Sequence, residues 1–474
     1  MGSQDKMETI EAVTYVFSID GPTGKDKEVA ENEKKMRVWQ ILPSVCASMC
    51  VIPYGLMLGW PSPTYPMLLK PDSPIFISYD QSAIIAGFLM IGNFLGTPIS
   101  TKTIVAPRYG ILIGIAFMTS GWFVMWQARD FFWLLASRIL VGFGNGYGTG
   151  QLKLYIAQIC DDDLKALLLK HINLYVFFAV LAMFSIGPFL DFRQTSVVCL
   201  LTSILIFFVC LLLPSSPKEL VRANQTARAR RMIAHLKPDA DVDNELGRLK
   251  GDSGAKEQGF VEIFKRPALL NSFGVFAFLV FCQQCSGAPA TIIYTQIMFE
   301  RSHCPHAVYI AIVYAVLFFF SNVIGIFLVP KYNKRTVLLF SSCSVVLLVI
   351  AKICVILLKV NEKYWSYSSV AVMYLYIVVH TIGLGSIPVT FIPDFFPKEY
   401  RTSVTHFFIM FHSIMALVIT KVFQVLMTMY NIGIGFCLFL CVSVIAVIFI
   451  HFVLPKKTDA VNADAFLKEL QELQ

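Results

Sequence analysis

Charge is what this chain has least of. Only 15% of its 474 residues are charged, against roughly 25% in an ordinary soluble domain, so it is short of polar surface to show to water. The formal net charge of +8 comes without a dense basic stripe, which argues against nucleic acid as a partner. No nucleophile–base set and no metal-ligand spacing stands out, so neither an enzyme nor a metal or cofactor site is expected. A secretory signal is also missing: residues 1–35 are polar and charged, with no apolar core before a small-residue cleavage site. Met1-Gly2 is followed by Lys6 where N-myristoylation wants Ser or Thr. The twelve Cys are mostly scattered through apolar runs. Cys282-x-x-Cys285 lies in one of them, where packing is expected rather than disulfide or metal chemistry.

What the chain has instead is hydrocarbon. It is 56% apolar with 40 Phe, and its mean hydropathy is +0.65. A helix needs about 20 apolar residues to cross a bilayer. Runs of that kind fall at 38–60, 81–101, 109–128, 132–156, 171–190, 195–213, 268–292, 306–329, 336–358, 366–392, 403–426 and 431–454. The expected fold is therefore an all-α membrane protein of twelve transmembrane helices in two six-helix bundles, 38–213 and 268–454, embedded in the lipid bilayer. Residues 214–267 form a polar linker, with short amphipathic helices at 227–236 and 244–249. Residues 1–37 and 455–474 are tails.

Basic residues orient the bundle. Lys34, Lys35, Arg37, Lys102, Arg108, Lys165, Lys170, Lys331, Lys334, Arg335, Lys398, Arg401, Lys456 and Lys457 fall on the side of the termini, together with the linker. The opposite side holds only Lys70, Arg129, Arg193, Arg301, Lys359 and Lys363. The positive-inside rule then places both termini in the cytosol. Asn224-Gln225-Thr226 is a glycosylation sequon that this topology leaves on the cytosolic side, unmodified. The halves echo one another: Pro107-Arg108-Tyr109 and Pro330-Lys331-Tyr332 each follow the second span of a half, and Asp163 and Asp394 follow the fourth. A duplicated unit is how secondary transporters build a site between repeats near mid-membrane.

One stretch breaks the apolar pattern. Gln283-Gln284-Cys285-Ser286-Gly287-Ala288-Pro289 sets amides, a hydroxyl, a glycine and a proline inside the seventh span. Polar groups there are tolerated facing protein or a wet cavity, so this is where a polar solute is expected.

The residues also carry a family likeness. Arg138-Ile139-Leu140-Val141-Gly142-Phe143-Gly144-Asn145-Gly146 resembles the fourth-helix Gly-Arg-x-x-x-Gly-x-Gly run of the sugar porters of the major facilitator superfamily. Gln283-Gln284-Cys285-Ser286-Gly287 with Tyr294 resembles their seventh-helix Gln-Gln-x-Ser-Gly motif. Pro214-Ser215-Ser216-Pro217 is similar to their Pro-Glu-Ser-Pro, and Gly383-Leu384-Gly385-Ser386-Ile387-Pro388 to their tenth-helix Gly-x-Gly-Pro-x-Pro. Leu58-Gly59-Trp60-Pro61-Ser62-Pro63 and Ile419-Thr420-Lys421-Val422-Phe423-Gln424 resemble the insect facilitated trehalose transporters in particular. The resemblance runs from about residue 38 to 457.

It implies a facilitative carrier of a neutral sugar or polyol, trehalose or glucose, working by alternating access in the plasma membrane. Gln283, Gln284, Asn173, Ser286 and Ser386 would line the sugar site, with Tyr294 on its outer side. Amides suit a sugar because each offers donors and an acceptor together. Departures from the pattern thin the site: Pro289 stands for an Asn and Val389 for a Trp, Ala315 to Phe320 is wholly apolar, and His412-Ser413 replace an Asn-Trp pair. A cytosolic gate is expected from Arg138, Asp394, Arg401, Lys165 and Gln158, with Asp394–Arg138 or Asp394–Arg401 as its main pairs. Lys165 for Arg and Gln158 for Glu would loosen it, since Lys cannot form a bidentate clamp. The first span, Val38 to Leu69, has no acid or base, which favours uniport over proton symport. His380 is expected to be a packing residue, and Lys352 to snorkel to an interface. The alternatives are a transporter-like sensor without flux and a carrier of a non-sugar solute.

Overall fold

The computed structural model describes residues 38–236, 241–251, 261–302, 304–358 and 362–454. The tails at 1–37 and 455–474 lie outside them. Among the described residues the structure is helical with no strand.

The first half consists of α1 (Val38–Leu68), α2 (Tyr79–Lys102), α3 (Pro107–Trp126), α4 (Phe131–Ile159), α5 (Asp162–Ile186) and α6 (Phe192–Leu211). The second begins with α7, which runs in three pieces: Pro267–Cys285, Ala288–Ile293 and Thr295–Arg301. It continues with α8 (Ala307–Leu328), α9 (Lys334–Leu358), α10 (Glu362–Ile382, then the short turns Ile387–Thr390 and Ile392–Phe395), α11 (Arg401–Met429) and α12 (Ile432–Val453). Eleven of these are long and apolar enough to cross a membrane. The twelfth, α4, has the length, at 29 residues, but its sequence is too rich in glycine and polar residues to count as an apolar span.

That composition follows from where α4 sits. It packs against both α2 and α3, and small residues let the backbones approach. A Cβ added at Gly142 would lie 2.2 Å from the Leu89 carbonyl oxygen, closer than any side chain is tolerated. α1 runs past its expected end at residue 60, because Pro61 stands at the first position of a new helical turn that continues to Leu68. Caps fix other starts. Ser78 and Gln81 form a reciprocal capping box at α2, and Asp130 accepts from the Phe132 and Trp133 N–H groups at α4.

Burial is inverted on the outside of the bundle. Leu201, Leu205 and Phe208 recur along one exposed face of α6, and Phe340 and Leu347 do so on α9. An apolar face of this breadth is what lipid requires. The halves meet chiefly along α2–α11 and α5–α8, with Phe177 against Phe318 across the second seam at 5.0 Å between ring centroids.

Short helices at Pro217–Arg222, Thr226–Leu236, Val242–Gly251 and Val261–Phe264 follow α6. Leu220, Ala229, Ile233 and Leu246 give the first three a small core of their own. This linker is fastened to the first half: the Gln40 amide donates to the Leu236 carbonyl at 2.7 Å, and the Tyr155 hydroxyl to the Pro214 carbonyl at 3.0 Å. Both chain ends of the described bundle, Val38 and Val453, lie at the same end as the linker, called here the termini end; the other is the far end.

Candidate functional site

The break in α7 is the centre of the candidate site. Gly287 has φ +106°, a backbone conformation that a side chain resists. Its missing Cβ is also a packing necessity, since one would come within 2.4 Å of the Phe439 ring. The turn ends Pro267–Cys285 and leaves Gln283 and Gln284 on the last helical turn before it.

Both amides are buried. The Gln283 amide NH2 donates to the Gly385 carbonyl in the break of α10, so the breaks in α7 and α10 face each other. The Oε1 atoms of Gln283 and Gln284 are buried with no partner among the described residues. Two acceptors without donors at mid-bundle are what a hydroxylated solute satisfies, because an unpaired buried acceptor costs roughly 1–3 kcal/mol. Ser286 is not free for such a role. Its hydroxyl lies 2.8 Å from both the Gln283 carbonyl and the His380 Nε2, and its carbonyl accepts from the Tyr376 hydroxyl at 2.9 Å. His380 is thereby a hydrogen-bonded core residue. Ser386 donates to its own helix at the Thr381 carbonyl, 2.6 Å away. Asn173 is an exposed residue of α5, one turn before the Phe177 that meets α8. Pro289 and Val389 are half-buried and bring no side-chain hydrogen bond.

Tyr294 belongs to the far end. It is fully buried, with its hydroxyl 3.1 Å from Ser82 Oγ of α2 and its ring 6.0 Å from that of Tyr65 on α1. The outer pieces of α7 reach α1 of the other half while also packing on α11 and α8 of their own, whereas Pro267–Cys285 packs on α11, α12 and α10. Around Tyr294 the halves are joined by Lys421–Asp80 at 2.7 Å. The Gln296 N–H donates to Ser62 Oγ at 3.4 Å, and Arg301 lies over the Tyr79 ring at 5.0 Å.

The expected gate residues do not come together. Arg138 is near the start of α4, which begins at the far end; its guanidinium donates to the Met57 carbonyl at 2.8 Å and lies over Trp60. Asp394 is at the termini end of α10. An Asp394–Arg138 pair is therefore excluded by helix direction. Asp394 pairs with Lys334 at 2.6 Å instead, and Arg401 donates to the Phe396 and Pro393 carbonyls at 2.9 and 2.8 Å, capping the end of α10 rather than meeting the carboxylate. Gln158 accepts from the Ser216 hydroxyl of the linker at 2.6 Å, and Lys165 is half-buried in the first turn of α5. Lys352 does not snorkel: it is buried inside the second half, donating to Ser369 and 5.6 Å from the Phe436 ring centroid. A hydroxyl and a ring face hold the ammonium where no path to the interface is needed.

A mid-level clasp was not anticipated. The Asn145 amide of α4 donates to Asn93 Oδ1 at 2.9 Å, and the Asn93 amide donates across the halves to Ser413 at 3.1 Å. Asn145 sat in the quoted fourth-helix motif, but among glycines nothing marked it as a contact.

A family model described as sugar (and other) transporter matches residues 25–460, most of the chain. The chain belongs to the sugar porter family of the major facilitator superfamily. Among the sugar porters it resembles are a sugar transporter of Arabidopsis thaliana, 24% identical over 80% of this chain and 78% of the relative. A facilitated trehalose transporter homologue of Drosophila simulans is 22% identical over 88% of each chain. A facilitated glucose transporter of Mus musculus, solute carrier family 2 member 8, is 22% identical over 88% of this chain and 91% of its own. The fold is that of the E. coli xylose transporter in its inward-open conformation, with a TM-score of 0.75 at 14% identity, covering 92% of this chain and all of that one. The protein is thus a multi-pass membrane transporter of the sugar porter type.

Proposed function

We propose that this sugar porter is a facilitative uniporter of a neutral sugar, trehalose or glucose, with both termini cytosolic and its place in the plasma membrane. The observation that carries the cargo class is the pair of unpartnered acceptors, Gln283 Oε1 and Gln284 Oε1, buried at the break in α7. Sugar hydroxyls donate to both, and exchanging water for these fixed acceptors orients the ring without any charge. Asn173 contributes from α5, Tyr294 closes the outer side, and the His380-bound Ser286 holds the turn in shape rather than touching sugar. Transport by alternating access then requires the far-end contacts around Tyr294 to part while the termini end closes. Two of the relatives are named for trehalose and glucose transport, and α1 offers no acid or base for proton coupling.

Uptake of labelled glucose and labelled trehalose into proteoliposomes is the test. Gln283→Ala and Gln284→Ala each lower uptake by about tenfold, the loss of one well-made buried hydrogen bond or more, while a pH gradient leaves the parent rate unchanged. Uptake of neither sugar by correctly inserted protein removes the cargo assignment. A second reading, a carrier of a less hydroxylated polar solute, draws on Pro289 and Val389, which leave one wall of the site without donors.

A further inference from the structure

The charge that the transport route does not use is Arg138. It is fully buried, and so is Trp60, over whose ring the guanidinium carbon lies at 4.6 Å. One nitrogen, Nη1, donates to the Met57 carbonyl. Nε and Nη2 of Arg138 and Nε1 of Trp60 are buried with no acceptor among the described residues. Three unpartnered N–H nitrogens and a full positive charge thus lie at the contact between Arg138 and Trp60 in the first half. The helix they lean on, α1, has no acid, and the groups whose electrostatics act on Arg138 are the phenols of Tyr54 and Tyr65. A buried ion without a counter-charge is penalised by several kcal/mol, and each unpaired buried donor adds to that.

The surroundings lead to solvent at the far end. Phe192, whose ring stands edge-on to Trp60 with centroids 6.0 Å apart, also lines a cavity of about 150 Å³ together with Pro74, Ile75, Ala128, Arg129 and Arg193. Both arginines are exposed there. The neighbouring carboxylates, Asp130 and Asp191, serve as caps for the first turns of α4 and α6.

We propose that Arg138 and Trp60 form a binding site for a small monovalent anion, chloride in ordinary media, entered past Phe192 from the cavity that Arg129 and Arg193 line. The site offers N–H donors and one positive charge, and a halide accepts hydrogen bonds from any direction. Its occupant supplies the negative charge that α1 does not, fastening α1 to α4 beside the outer wall of the transport route. The assignment is independent of which solute is carried.

The experiment uses the purified full-length protein in nanodiscs, exchanged into sodium gluconate and titrated with sodium chloride or bromide at constant ionic strength, with no sugar present. A saturable rise in melting temperature with chloride and bromide, and none with gluconate, is the expected result. Trp60→Phe keeps a ring beneath the guanidinium but removes one donor, raising the half-saturating halide concentration by about tenfold. Arg138→Gln abolishes the halide response; where that variant fails to fold, the Trp60→Phe shift and bromide anomalous density beside Arg138 decide the matter. Melting curves that coincide in chloride and gluconate, or bromide density found only elsewhere, overturn the site and leave water as the acceptor.

Discussion

The two ends of the bundle are held in different ways. At the far end the contacts cross between halves: Tyr294 to Ser82 and Tyr65, Lys421 to Asp80, Arg301 to Tyr79 and Gln296 to Ser62. At the termini end the contacts of Asp394, Arg401, Gln158 and Arg108 stay inside one half or its linker. The difference assigns a conformation. Cross-half bonds at the far end and mid-level, with intra-half bonds at the termini end, describe a carrier shut at the far end. The energies are small on both sides. A carrier must pass between states, and a lock much stronger than a few kcal/mol would trap it.

The comparison can be broken hardest at the hinge. Gly287 separates the part of α7 that also reaches α1 at the far-end seal from the part packed on α11, α12 and α10. Gly287→Ala meets the Phe439 ring and an unfavourable φ together, an overpacking penalty of about 1–3 kcal/mol. Sugar uptake should fall at least tenfold and the melting temperature should drop; unchanged uptake would mean that the break is not the pivot.

The seal itself is the next test. Tyr294→Phe deletes the bond to Ser82, worth about 1 kcal/mol. It should raise the fraction open at the far end about fivefold, measured as reactivity of a cysteine introduced at the buried Thr64 (T64C) toward an impermeant maleimide. Asp80→Asn removes an ion pair whose carboxylate is 63% exposed, so its effect is at most about twofold. If Asp80→Asn outweighs Tyr294→Phe, charge rather than the buried hydroxyl holds the far end.

The smallest effect belongs to the termini end. Asp394→Asn and Lys334→Met break a pair inside the second half and should leave maleimide labelling at T64C within experimental scatter. A clear change would show that this pair senses the other half.

Much of this was written in the chain. Twelve runs and the quoted motifs led to the family and the fold, and Gln283–Gly287 does fall at the break in α7. The gate was not legible, because a motif names residues without giving their depth. Arg138 carries the fourth-helix pattern, yet α4 descends from the far end and sets it in the half of the bundle opposite Asp394. Lys352 shows the same limit: a lysine in an apolar run is equally compatible with lipid and with core, and only Ser369 and Phe436 tell them apart.

The sequence alone determined the medium and the count of helices, since apolar length is a property of the chain and bilayer thickness is fixed. It also determined where backbone order fails, because Gly287 and Pro289 act locally. Tertiary structure decided which polar groups are satisfied. Ser286 and Gln283 are two residues of one stretch, but His380 and Gly385, about 100 positions away, leave the serine fully bonded and the amide with a free acceptor. Partners brought together from distant segments set that difference, and only the folded bundle assembles them.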